Sequence, residues 1–86
     1  MLAPSEALGK ARIYLGEVIP DFAALEPRVE EMVLAPDSSE WKITFSAYDE
    51  KEKPSSLAHI LRQRIEKVVS VGADGAFIAV RNPHPF

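Results

Sequence analysis

Apolar and polar positions alternate along this chain with two different periods, and the period changes once. Leu8, Ala11, Leu15, Val18 and Ile19 recur at i, i+3, i+7, i+10 and i+11. At about 100° per residue they fall on one stripe of a helix, widened by Ala7 and Tyr14. Pro4 suits the first helical turn, where a missing N–H costs nothing, and Glu6 meets the positive end of the helix dipole. Pro20 cannot continue the helix, so the pattern predicts an end near Ile19. Positions 21–27 read as a connector.

Beyond the connector the period shortens to two. The clearest case is Trp41, Ile43, Phe45 and Ala47 alternating with Lys42, Thr44, Ser46 and Tyr48, the signature of an antiparallel strand with one buried face. The preceding strand, 28–35, has an awkward phase, because Val29 and Met32 are three apart while Met32 and Leu34 are two apart. A bulge at Glu30-Glu31 would bring Val29, Met32 and Leu34 to one face. Without it, Val29 and Val33 share one face and Met32 and Leu34 the other. Pro36-Asp37-Ser38-Ser39 is turn chemistry, so these strands form a hairpin.

Positions 49–56 are charged and turn-rich and read as a surface loop. Leu57–Leu61 could add one helical turn capped by Ser55 or Ser56. Arg64–Val71 is rich in Val and Ile and predicts a third strand. Asp74-Gly75 closes a tight turn, and Ala76–Arg81 makes the fourth strand. Pro83 and Pro85 keep the tail out of any central ladder. The expected fold is therefore α+β: one domain over 1–86, an N-terminal helix packed on a four-stranded antiparallel sheet made of two hairpins, with a possible short helix between them. One helix cannot cover both faces of such a sheet. Tyr48, Val68 and Ile78 or Phe77 fall on the side away from it. Apolar residues left there would form an interface patch.

Composition narrows the class of function. In 86 residues, 47% are hydrophobic and 27% charged, as in an ordinary globular domain, with little chain left over for a deep cleft. The net charge of −3 argues against nucleic acid as a partner, which calls for a basic face. With no cysteine there is no disulfide, thiolate nucleophile or Cys-ligated zinc. No stretch reaches the ~20 apolar residues of a membrane span and no basic leader is visible at the N-terminus, so a cytoplasmic location is expected.

Three features together resemble small bacterial PepSY-like domains. They are the amphipathic helix ending in Pro20-Asp21, the alternating Trp41-Lys42-Ile43-Thr44-Phe45 strand, and Lys67-Val68-Val69-Ser70-Val71 with Asp74-Gly75 before the last strand. The pattern also resembles a group of bacterial proteins with a Lys-Val-hydrophobic-x-Val-Asp-x-x-x-Gly hairpin. Gly72 stands where that pattern has Asp, and Ala76 where it has Glu. The resemblance implies the helix-on-sheet fold and a binding role, and carries over no catalytic residue.

The residues themselves point the same way. There is no Gly-x-Ser-x-Gly elbow. His59 and His84 have no neighbour at metal-ligand spacing, and in a regular strand Glu30 and Glu31 point to opposite faces. No enzyme activity, cofactor or metal is expected. Arg62, Arg64, Lys67 and Arg81 could gather into a basic patch beside Tyr48, because strands three and four pair, and such a patch could hold an anion or an acidic partner. On the helix, Gly9, Ile13 and Gly16 form a second stripe beside the apolar one. Each interior glycine costs about 1 kcal/mol relative to alanine, which close approach to the domain's own sheet or loop, or to another subunit, would offset. The expected function is a binding module acting through protein–protein contact, with a protein partner or a second copy in a homodimer; an inhibitor or immunity-type protein is one form. The alternative is a small-ligand domain with an apolar pocket between helix and sheet lined by Tyr14, Trp41 and Phe45.

Overall fold

A computed structural model describes residues 2–37, 39–48 and 64–83. Helix α1 spans Pro4–Val18 and a second, one-turn helix, α2, spans Pro20–Ala23. Four strands follow: β1 Arg28–Leu34, β2 Glu40–Tyr48, β3 Arg64–Gly72 and β4 Phe77–Arg81. They form one antiparallel sheet in the order β1-β2-β3-β4. This is the expected helix-on-sheet arrangement. The helical turn expected at Leu57–Leu61 lies outside the described residues, as do His59, Arg62 and His84.

α1 begins with Pro4 at the position where proline is most at home. The Glu6 carboxylate reaches back to accept the Ala3 N–H at 3.5 Å, half of a capping box. Ala7, Ala11 and Leu15 are the buried positions of the helix, spaced i, i+4, i+8 along the face toward the sheet. The connector expected over 21–27 is partly helical. Pro20 ends α1 and also starts α2, its fixed φ suiting a first turn, and Phe22 from that turn enters the core at 4% exposure. Glu26 then turns the chain into β1 with φ of 55°.

The register settles the phase of β1. Val29, Met32 and Leu34 pair with Phe45, Ile43 and Trp41, with a bulge between Val29 and Glu31. All three apolar residues therefore lie on the helix side, the first of the two arrangements open to the sequence. A second bulge sits in the β3–β4 pair, where Ser70 meets Ala79 and Val71 meets Phe77, leaving Ile78 as the extra residue. Both bulges belong to the outer strands, where the added twist discourages pairing with other chains.

The core lies between α1 and one face of the sheet. Ile43, Phe45, Val69 and Val71 are wholly buried against Ala7, Ala11 and Leu15. The alanines let the helix approach closely, and Phe45 fills the layer. Two polar bonds tie the N-terminal segment to the sheet: Tyr14 donates its hydroxyl to the Gly75 carbonyl at 2.6 Å, and Trp41 donates Nε1–H to the Leu2 carbonyl at 3.3 Å. The turns are also joined. Asp37 accepts from the Ser39 N–H and hydroxyl at 3.0 and 2.6 Å, while the Ser39 carbonyl accepts from the Ala73 N–H at 3.0 Å.

Candidate functional site on the open face of the sheet

Strand alternation sends every second residue away from the helix. Pairing across the sheet then builds rows on that side. Tyr48 pairs with Arg64; Arg28 pairs with Ser46, and Ser46 with Glu66; Glu31, Thr44, Val68 and Arg81 make the middle row; Val33, Lys42, Ser70 and Ala79 make the next. No described helix or strand lies over these rows. Val33, Tyr48 and Ile78 are 42%, 44% and 47% exposed, while Ser46 and Ser70 at the centre are buried among their neighbours.

At one end the rows carry a charge network. Arg64 Nη2 lies 3.2 Å from Glu30 Oε1 and 3.2 Å from Glu66 Oε1. The Ser46 hydroxyl donates to Glu30. That hydrogen bond holds the Glu30 carboxyl below its ordinary range; partial desolvation opposes it, and the Arg64 and Arg28 charges reinforce it. Beside the network is an open depression lined by Arg64, Glu66, Asn82 and Pro83. In the middle row, Glu31 and Arg81 are exposed and have no ion pair among the described residues.

The expected basic patch is divided by the pleat. Arg64 and Arg81 are on the open face, but Lys67 pairs with Phe45 on the helix side and donates to Asn82 Oδ1 at 2.6 Å. Residues 64 and 67 are an odd number apart in a regular strand, so they cannot share a face. Arg64 is also held between two glutamates rather than beside other cations. Tyr48 sits on the open face as expected. Glu30 and Glu31 do not diverge: the bulge turns Glu30 to the open side, where Glu31 also lies, opposite Thr44.

Gly9, Ile13 and Gly16 lie on the outer side of α1, and Ile13 is 58% exposed. Among the described residues a Cβ placed at Gly9 or Gly16 meets nothing within 4 Å, so close approach to the domain's own sheet does not account for them. The aromatics expected to line a ligand pocket are occupied in packing. Phe45 is wholly buried under the Arg12 guanidinium, 5.4 Å from its ring centre. Tyr14 stacks at a tilt on Phe77, ring centres 5.3 Å apart, and Phe77 is therefore on the helix side, unlike Ile78.

Sequence reasoning did not find the Glu30–Ser46–Arg64–Glu66 network. Its one signal was the irregular phase of β1, which places an extra residue at Glu30 once a bulge is granted. Among the described residues no cluster of three or more His, Cys, Asp or Glu could hold a metal ion, and no helix is long and apolar enough to cross a membrane. Comparison with protein-family models, with curated proteins and with solved structures gives no match.

Proposed function

We propose that this domain is a non-enzymatic protein-binding module whose working surface is the open face of the sheet. One observation carries the reading. The face that no described element covers presents exposed apolar side chains, Val33, Tyr48 and Ile78, together with two opposite charges, Glu31 and Arg81, that lack ion-pair partners among the described residues. A sheet face that only met water would need neither. Exposed apolar groups set among charges are the usual make-up of an interface, where the first supply affinity and the second orientation.

The geometry is also stiff. The face is built on four hydrogen-bonded strands backed by a packed core, so binding orders little that is not already ordered, and the entropic cost of association is correspondingly small.

Photo-crosslinking in the native cell tests this. The crosslinking amino acid is placed at Val33 on the open face or at Glu17 on the outer side of α1. A protein adduct at Val33 and none at Glu17 is the expected result. Adducts of equal yield at both positions, adducts at Glu17 alone, or no adduct at either would overturn the reading.

A further inference from the structure

We infer that the open face is self-complementary and takes a second copy of this chain, face to face, about a two-fold axis parallel to the strands. This rests on the reading of that face as the working surface and names its occupant.

Charge and symmetry select the arrangement. Two copies stacked through the same face must be related by a two-fold axis lying in the plane between them. An axis across the strands would lay each strand over its own counterpart, reversed in direction. Centred on the middle row, it places Glu31 over Glu31 and Arg81 over Arg81, two like-charge contacts. An axis along the strands instead lays β1 over β4 of the second copy and β2 over β3. In the middle row Glu31 then faces Arg81, Arg81 faces Glu31, and Thr44 faces Val68.

The other rows follow without conflict. Tyr48 meets Arg64, whose cation can lie over the ring. Val33 meets Ala79, Lys42 meets Ser70, and Ser46 meets Glu66. Among the strand-paired residues no two like charges fall opposite one another; Glu30, bonded to Ser46, comes beside the Glu66 of the second copy, and the Arg64 of each copy, which bridges its own Glu30 and Glu66, supplies the cation there. The two central strands carry small side chains on this face, Thr44, Ser46 and Ser70, beside Val68, Lys42 and Glu66, and these leave room for a second sheet.

Glu31 and Arg81 are the residues this arrangement uses best. They stand on opposite edge strands, three strand spacings or ~14 Å apart, too far to reach each other within one chain. The two-fold gives each a partner of opposite sign. It does so twice per dimer.

The extent of the face sets the strength. Four strands about 19 Å wide and roughly 25 Å long give a total buried area of roughly 1,000 Å². That is the low end for a specific interface, so the dimer is concentration-dependent, with a dissociation constant at ~1 μM or weaker.

The test exploits the reciprocity of the pairing. Light scattering after size exclusion is run on the intact chain over a dilution series reaching ~1 mM, with circular dichroism confirming the fold of each variant. Wild type is expected to pass from monomer to dimer. Glu31→Arg alone sets Arg against Arg, and Arg81→Glu alone sets Glu against Glu, so each single variant is expected to weaken the dimer at least tenfold. Mixed with each other, the two variants are expected to form a heterodimer, because every facing pair is then Arg with Glu, and the double variant is expected to recover the wild-type dimer.

A wild-type chain that stays monomeric to ~1 mM overturns the inference. So does a dimer that neither substitution weakens, or one that the mixture and the double variant fail to restore. If the chain is monomeric while Val33 crosslinks a different protein, only the second-copy inference fails and the binding reading stands. If there is neither dimer nor adduct, both fail.

Discussion

The Tyr14 hydroxyl donates to the Gly75 carbonyl at 2.6 Å across 61 positions of sequence. The bond fastens the middle of α1 to the β3–β4 turn, whose Gly75 has a φ of +89°. The two residues depend on each other, since the carbonyl faces the helix only because Gly75 adopts a conformation that side chains disfavour. Tyr14→Phe is expected to lower unfolding stability by about 1 kcal/mol. Gly75→Ala is expected to cost about 1–2 kcal/mol through the left-handed backbone. Their double variant should lose less than the sum, measured by urea denaturation.

The helix glycines lead to a prediction of opposite sign. With nothing among the described residues within 4 Å of a Cβ at Gly9 or Gly16, alanine at either site gains helix propensity and displaces none of them. Each substitution should stabilise the chain by about 0.5–1 kcal/mol. A thermal melt that shows a loss would mean that the outer side of α1 is in close contact with something beyond the described residues.

Acid should weaken the fold through two carboxylates, Glu30 on the open face and Asp37 in the β1–β2 turn. Glu30 has its pKa lowered from the ordinary 4.5, first by the Ser46 hydroxyl and then by Arg64. Asp37 is lowered from 3.8, chiefly by the Ser39 hydroxyl. A carboxylate with a depressed folded-state pKa contributes stability above its unfolded value and loses it as pH falls through the folded one. The urea midpoint should therefore drop on acidification below about pH 4.5. Glu30→Gln should flatten part of that slope, and adding Asp37→Asn should flatten more.

In the core, neither the large Phe45 nor the small Ala11 should tolerate a change of size. Both are wholly buried. Phe45→Ala opens a cavity and is expected to cost about 3–5 kcal/mol, enough to unfold much of a domain this small. Ala11→Leu overfills the helix–sheet layer and is expected to cost about 1–3 kcal/mol. Chemical denaturation reads both.

The sequence by itself determined what depends on neighbours within a few residues. The stripe of Leu8, Ala11, Leu15, Val18 and Ile19, widened by Ala7, and the alternation from Trp41 to Tyr48 each specify an element and the side it turns to the core, because backbone geometry alone sets those periods; Val18, at the end of the helix, is the member of the stripe that stays 50% exposed. The phase of β1 was legible only as a choice, a bulge with Val29, Met32 and Leu34 on one side or a regular strand with Val29 and Val33 on one face and Met32 and Leu34 on the other, and pairing with β2 decided for the bulge. Even the division of the basic patch was present in the odd spacing of Arg64 and Lys67. α2 had its signal in Pro20 followed by Asp21, a proline and an acid suited to a first helical turn, although the same proline also ends α1.

Tertiary structure decided what depends on register between distant strands. That Ser46 would bond Glu30, that Arg64 would bridge Glu30 and Glu66, and that Glu31 and Arg81 would share one row at opposite edges follows from how four strands align. A slip of one residue would send each of those side chains to the other face. Local pattern fixes which way a residue points only within its own strand; which residue it then meets is set by the packing of the whole sheet against the helix.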